Sequence, residues 1–306
     1  MENYEIETIK TEVKIKGNKN KRFNLKYLIE KENVETFLFG YNFVKANKDK
    51  CYLIIDNIDT ELTYEYIFPK KGEQIVTLVI KDDDNIEFKG MFDIKIRFSD
   101  PFENTTASII TRAIFETNYY IKFEFNELID ISTLEKLDVS NCKDLSYMFC
   151  GCNKVKNFDF LKNWDVSNCK NFKGLFAGCC FSDVNFLSSW KVNKATDLSG
   201  MFCGCKQLKN INACKNWNVE KVQYFRGFFD YCLSLIDVNA LQNWNMSNAM
   251  DIGYMFSDCH NLENMNSLFK WKLNDKVDKK DLTFHCYKLK NIPSNLKKEE
   301  GGCQVY

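Results

Sequence analysis

The chain has 306 residues, of which 45% are apolar and 15% aromatic, and this is ample for a packed core and excludes a disordered protein. Its 42 lysine and arginine residues balance 42 aspartate and glutamate residues, so no basic surface argues for nucleic acid or an anionic membrane as a partner. No run of 18 apolar residues occurs, and Met1 to Lys10 lacks the apolar segment of a secretory signal. We therefore expect a folded protein located in the cytoplasm.

Residues 1–98 are predicted to form a small β-rich N-terminal domain of unclear type. Runs of β-branched and aromatic residues predict strands at Cys51–Ile55, Ile75–Ile80 and Phe92–Phe98, while a helix fits within Arg22–Phe43. Residues 99–124 are predicted to link this domain to the next and to begin its cap.

From Leu128 to Pro293 the chain repeats itself every 26 or 27 residues. Three columns of identical residue types mark the period: Phe149, Phe176, Phe202, Phe229 and Phe256; Trp164, Trp190, Trp217, Trp244 and Trp271; Cys152, Cys179, Cys205, Cys232, Cys259 and Cys286. A fixed period of this length is typical of repeat proteins, whose units bury their apolar faces by stacking on one another. Proteins of this kind mostly bind other molecules and rarely catalyse reactions.

Apolar residues follow each column cysteine three and six positions later, as Leu208 and Ile211 follow Cys205; the repeat after Cys179 is one residue short, so Phe181 and Val184 take these places there. In the repeats from Cys152 to Cys259, Asn or Asp stands directly on either side of the second apolar residue. This alternation predicts one short strand per repeat, with its Asn/Asp side chains facing outward. The predicted fold class is therefore α+β or β-rich: a leucine-rich-repeat-like solenoid with a parallel β-sheet, preceded by the N-terminal domain. It would span residues 125–295 in about seven rungs, with Phe125 replacing the first cysteine.

The repeats closely resemble the BspA-like leucine-rich repeat family, in its 26-residue form found in mycoplasma lipoproteins and in bacterial and protist surface proteins. The segments that carry the resemblance are Trp164 to Asn168, Asp144 to Cys152, Asp197 to Cys205 and Trp244 to Cys259. The resemblance implies a solenoid without catalytic residues, and adhesion or protein recognition as its role.

The Asn/Asp positions form the candidate partner-binding face of the predicted solenoid. Its members are Asn157, Asp159, Asp183, Asn185, Asn210, Asn212, Asp237, Asn239, Asn264 and Asn266. A structural alternative is a ladder in which these side chains bond one another from repeat to repeat. The sequence leaves both interpretations open, and the two are compatible.

The column cysteines are interpreted as reduced, buried packing residues, because the repeat period explains their positions. CxC pairs such as Cys203/Cys205 do not recur in every repeat, since Asp230 and Ser257 replace the first cysteine, so no metal site and no cofactor are expected. His260 and His285 stand beside column cysteines, and a Cys/His nucleophile pair is the enzymatic alternative. We predict that the protein is not an enzyme.

The tail, residues 296–306, is predicted to be flexible, and Cys303 stands four residues from the end, in the outline of a prenylation box. We therefore predict a non-enzymatic scaffold for unidentified protein partners, either free in the cytoplasm or tethered to the inner face of a membrane through a lipidated Cys303. The alternative function is a cell-surface adhesin exported without a recognisable signal peptide.

Overall fold

The fold is described from a computed structural model, which covers residues 20–81, 86–92, 95–97, 122–124 and 127–297. Within these ranges no helix is both long enough and apolar enough to cross a bilayer. Most of the predicted linker 99–124 lies outside the described residues, and so do Phe125 and Cys303.

The N-terminal part is built mainly from strands, which pair in antiparallel fashion throughout. The largest sheet has the order β4-β3-β6-β1-β9, and β2 pairs with β5 and β7 with β8. The strands are β1 Lys21–Ile29, β2 Glu35–Phe37, β3 Cys51–Ile55, β4 Ile58–Glu61, β5 Glu65–Ile67, β6 Gly72–Ile80, β7 Lys95–Arg97, β8 Lys122–Glu124 and β9 Leu128–Asp130. The predicted strands at Cys51–Ile55 and Ile75–Ile80 are confirmed.

The prediction of a helix within Arg22–Phe43 is wrong for most of that range, because strand β1 occupies its beginning. Alternate residues of β1 are buried: Phe23, Leu25, Tyr27 and Ile29. This period of two, which favours a half-buried strand, is already present in the sequence. The only α-helix of the described residues, α1, runs from Tyr41 to Asn47 and is therefore short.

Each repeat consists of tight turns followed by a short 3₁₀-helix. Two positions per repeat have positive φ, as at Gly200 (61°) and Gly204 (72°). Gly151, Gly178 and Gly204 stand directly before column cysteines, where the close of a turn predicts positive φ, and this prediction is confirmed. The 3₁₀-helices are Ser132–Lys136, Asp159–Asn163, Asn185–Leu187, Asn212–Asn216, Asn239–Leu241, Asn266–Lys270 and Ser294–Leu296.

The predicted fold class, a leucine-rich-repeat-like solenoid with a parallel β-sheet, is wrong. The sheets of the described residues are antiparallel, and the repeats contribute only isolated parallel bridges, such as Asp183 to Asn210. The physical reason is the backbone six positions after each cysteine: Ile211 has ψ 20° and Val238 has ψ 25°, far from the extended ψ of a strand. The buried/exposed alternation therefore comes from a turn that enters a 3₁₀-helix.

Consecutive repeats are joined through the three columns, which the structure confirms as buried packing positions except at Cys286, which is partly buried. Phenylalanine rings stack face to face from repeat to repeat, with the Phe176 and Phe202 centroids 5.9 Å apart at an interplanar angle of 7°. Each column cysteine from Cys179 onward donates its thiol to a carbonyl of the preceding repeat, as Cys232 does to Phe202 at 3.2 Å. A small side chain with a donor therefore suits this position better than alanine.

The stack of phenylalanine rings continues into the N-terminal part through Phe92. Its ring lies 6.2 Å from that of Phe149 and 5.7 Å from that of Phe39. Backbone bonds from Gly90 to Ser146 and from Phe92 to Met148 repeat the bonds that join one repeat to the next. Residues 88–92 (FKGMF) match residues 172–176 (FKGLF), so this segment acts as an additional first turn of the repeats. One hydrophobic core runs through both parts of the chain.

Candidate interaction face

The Asn/Asp residues that directly precede the second apolar residue of each repeat, here called the capping row, bond to the backbone of their own repeat. Each side-chain oxygen accepts a hydrogen bond from the N–H group two residues later, at 2.7–3.0 Å: Asn157 to Asp159, Asp183 to Asn185, Asn210 to Asn212, Asp237 to Asn239 and Asn264 to Asn266. The donating N–H belongs to the first residue of a 3₁₀-helix, where it has no acceptor within the helix. The capping row therefore has a structural task, and its bonds run within repeats and do not form a ladder between them.

The Asn/Asp residues that directly follow the same apolar residue, here called the outer row, differ from the capping row in their contacts. All five are exposed, and none of their side chains forms a hydrogen bond with a described residue. The outer row consists of Asp159, Asn185, Asn212, Asn239 and Asn266. Because successive 3₁₀-helices lie next to one another, these side chains occur once per repeat along a single face.

Two exposed apolar side chains lie beside the outer row near its C-terminal end. Ile236 is 47% exposed and precedes the capping residue Asp237, while Phe269 is 65% exposed and belongs to the 3₁₀-helix that begins at Asn266. Phe269 is not a member of the predicted partner-binding face. Its signal is nevertheless present in the sequence, since polar residues such as Lys215 occupy the same position in the preceding repeats.

The two histidines contact an aspartate and do not form pairs with the neighbouring cysteines. His285 Nδ1 lies 3.0 Å from Asp258 Oδ1, and His260 Nε2 lies 3.6 Å from the same oxygen. The Cys286 thiol instead donates to the Phe256 carbonyl at 3.0 Å, and burial raises its pKa to about 12. A protonated thiol that donates to a carbonyl is a poor nucleophile at neutral pH, and the geometry gives the enzymatic alternative no support.

The polar residues that interrupt the CxC pattern are buried in the core. Asp230 is 3% exposed and accepts a hydrogen bond from the Cys203 thiol at 3.8 Å. Burial, with a smaller contribution from the nearby charge of Asp258, raises the pKa of Asp230 to about 8. Among the residues in the described ranges, no three His, Cys, Asp or Glu side chains are placed to hold a metal ion.

Cys303, the predicted lipidation site, lies outside the described residues. Its prenylation stays a prediction, as does the location of the protein in the cytoplasm.

Comparison with known proteins identifies the repeats at the level of a family. The family described as "Mycoplasma protein of unknown function, DUF285" matches residues 117–232 and 178–296. No curated protein and no solved structure matches the chain. The two matches together span residues 117–296, more than half of the 306 residues, and the chain therefore belongs to the DUF285 family.

Proposed function

We propose that this chain is a non-enzymatic interaction protein that binds a protein partner through the outer row. One observation carries the proposal: the outer row presents one exposed amide or carboxylate per repeat, and none of these side chains is used within the described structure. A partner can bond to these groups without breaking an internal hydrogen bond. In the capping row, by contrast, one side-chain oxygen of each residue already accepts a hydrogen bond from the backbone.

The composition of this face suits the binding of a protein. Amide side chains both donate and accept hydrogen bonds, so they can pair with backbone or side-chain groups of either kind. Phe269 and Ile236 add exposed apolar area beside them, and aromatic side chains are enriched at protein interfaces. We infer that Phe269 contributes most of the apolar contact at the C-terminal end of this face.

The resemblance of segments such as Asp197 to Cys205 to BspA-like repeats supports the same proposal. That family's usual role is adhesion or protein recognition. Membership of the DUF285 family agrees with a kinship to such repeats but names no activity. The main support for the proposal is therefore that the outer-row side chains are exposed and form no hydrogen bond with a described residue.

Site-specific photo-crosslinking in cells tests the proposal. A photoreactive amino acid at Asn239 is expected to capture a defined protein, whereas the same group at Lys221, an exposed residue outside both rows, is expected not to capture it. Capture is then repeated in a variant that carries Asn212→Ala, Asn266→Ala and Phe269→Ala. We expect at least a tenfold loss of the crosslinked product, equivalent to about 1.4 kcal/mol.

The matched control replaces three exposed asparagines that lie outside both rows: Asn193→Ala, Asn216→Ala and Asn243→Ala. We expect crosslinking from Asn239 to survive in this control and circular dichroism to show both variants folded. Equal loss in the two variants, or equal capture from Asn239 and Lys221, would show that the outer row is not the binding face.

A further inference from the structure

A cavity of about 770 Å³ lies where the N-terminal part meets the first repeats. Residues from helix α1 and from the segment before Gly90 line one side, and turns of the repeats line the other: Asn42, Lys45, Ala46, Glu87, Lys89, Ser146, Tyr147, Asn171, Lys173 and Asp197. Its volume falls within the usual range of small-molecule sites. The cavity lies outside the outer row, and the proposal below is independent of the proposed function.

The hydroxyl of Ser146 is the feature of this cavity that most needs an explanation. Ser146 is 1% exposed, and both of its backbone groups are paired: its N–H donates to Asp144 Oδ1 at 2.9 Å, and its carbonyl accepts from Gly90 at 2.8 Å. The hydroxyl, however, has no hydrogen-bond partner among the described residues. An unpaired buried hydroxyl costs about 1–3 kcal/mol, so such groups normally have a bonding partner.

One lysine lies on each side of Ser146 along the direction in which the turns stack. Lys89, Ser146 and Lys173 occupy the same position of three consecutive turns, three residues before Phe92, Phe149 and Phe176. Backbone bonds from Gly90 to Ser146 and from Tyr147 to Lys173 place these turns next to one another. Because serine is much shorter than lysine, it leaves space between the two longer side chains.

The charges of the residues that line the cavity favour an anion, although the Asp144 carboxylate lies beside them, bonded to the Ser146 N–H and to the Asn171 amide. Lys45, Lys89 and Lys173 form no ion pair with any described residue, whereas Arg226, further along the same column, pairs with Asp251 and Asp278. The three lysines outnumber the two carboxylates of the lining, Glu87 and Asp197. One of those carboxylates is already engaged, since Asp197 Oδ1 accepts from the Ser199 N–H at 2.8 Å.

The backbone beside Ser146 is also strained. Tyr147 has φ 59°, a conformation that the next three repeats assign to glycine, and its ring lies over Gly174, where an added Cβ would be 2.4 Å from a ring atom. A non-glycine residue in this conformation costs about 1–2 kcal/mol. Such strain is common at binding sites, where the surrounding structure compensates for it.

We propose that this cavity binds the phosphate group of a phosphomonoester. The Ser146 hydroxyl donates to one phosphate oxygen, and the ammonium groups of Lys89, Lys173 and Lys45 neutralise the charge. Lysine is a common phosphate ligand, and several cations around one group suit a tetrahedral dianion better than a single carboxylate. The remaining volume accommodates the organic part of the ligand.

Isothermal titration calorimetry at constant ionic strength tests this proposal on the full chain. The probes are inorganic phosphate, glycerol 3-phosphate, a phosphoserine peptide and, as a carboxylate control, glutamate. We expect the phosphate probes to bind and glutamate to bind at least tenfold more weakly. Tighter binding of glycerol 3-phosphate identifies a free metabolite as the source of the phosphate group, and tighter binding of the peptide identifies a modified protein. If no phosphate probe binds, or glutamate binds equally well, the proposal is wrong.

Ser146→Ala separates a ligand contact from a structural role. This variant is expected to keep or slightly raise the stability of the free protein, because it removes an unpaired hydroxyl, yet to weaken phosphate binding about tenfold. Lys173→Gln should also weaken binding, whereas Lys209→Gln, a change at an exposed lysine outside the lining, should not. Unchanged affinity in Ser146→Ala, or equal weakening by Lys209→Gln, would show that phosphate binds only through diffuse surface charge.

Discussion

The indole nitrogen of Trp244 donates a hydrogen bond to the carbonyl oxygen of Cys214, one repeat earlier, at 2.9 Å. Three other tryptophans of the column form the same bond at 2.8–3.1 Å: Trp164, Trp190 and Trp271. Trp217 is the exception, because its buried indole nitrogen has no partner among the described residues. By analogy its acceptor would be Leu187, which lies in the repeat that is one residue short.

This difference predicts unequal costs for two identical substitutions. Trp244→Phe and Trp217→Phe both remove part of a buried ring, but only Trp244→Phe removes a hydrogen bond. We expect Trp244→Phe to lower the free energy of unfolding by about 1 kcal/mol more than Trp217→Phe does. Urea denaturation followed by circular dichroism measures both values. Equal losses would show that the indole bonds add no net stability.

Gly174 and Gly204 provide a second matched pair. Both have positive φ, at 60° and 72°, but an added Cβ at Gly204 meets nothing closer than 3.6 Å, whereas at Gly174 it would be 2.4 Å from the Tyr147 ring. Gly204→Ala should therefore cost only backbone strain, about 1–2 kcal/mol. Gly174→Ala should cost about 1–3 kcal/mol more, because it also overpacks the core.

A double variant identifies the steric part of the Gly174→Ala effect. In Tyr147→Gly/Gly174→Ala the ring that meets the new methyl group is gone, so its loss of stability should be smaller than the sum of the two single losses. Additive losses in urea denaturation would instead assign the whole effect at Gly174 to backbone strain.

Asp230 predicts a pH dependence of stability. Burial raises its pKa to about 8 in the folded protein, while the unfolded chain has a normal aspartate pKa near 4. Between these pH values Asp230 is protonated in the folded protein and ionised in the unfolded chain. Its contribution to the free energy of unfolding is therefore complete below a pH of about 4 and is lost as the pH rises to about 8. Asp230→Asn, which is neutral at every pH, should flatten this part of the stability profile and be more stable than the wild type at pH 8. Each pKa unit corresponds to about 1.4 kcal/mol.

Chemical denaturation at several pH values between 4 and 9 measures this effect. Asp275→Asn, at an exposed aspartate, is the control and should leave the slope unchanged. If Asp230→Asn had the same slope as the wild type, Asp230 would be ionised in the folded protein at neutral pH.

Phe92 predicts a coupling between the N-terminal part and the repeats. Its ring joins those of Phe39 and Phe149, so Phe92→Ala should cost about 3–5 kcal/mol and separate the unfolding of the two parts into distinct calorimetric transitions. The matched control is Phe269→Ala, because the Phe269 ring is 65% exposed and its loss should change stability by less than about 0.5 kcal/mol. A single transition in Phe92→Ala would show that backbone bonds alone couple the two parts.

The amino-acid sequence alone determined which three columns of the repeats form the packed interior. The Phe, Trp and Cys columns follow from the period, because a residue type that returns at the same position meets the same surroundings in every repeat. The same reasoning correctly placed positive φ at Gly151, Gly178 and Gly204. It also placed the capping and outer rows on the surface, apart from Asp183, which is half-buried.

Only the tertiary structure decided the backbone path and the contacts between distant segments. A buried residue between two exposed ones fits either a strand or a turn into a 3₁₀-helix, and the backbone at Ile211 and Val238 decides for the turn. The sequence shows that residues 88–92 are similar to residues 172–176. It does not show that residues 88–92 pair with the turn at Ser146 and Met148, because a long stretch of chain separates the two segments. For the same reason the cavity around Ser146 was not predicted. Its walls come from two parts of the chain that only folding brings together, whereas a repeat period reports only on contacts that recur.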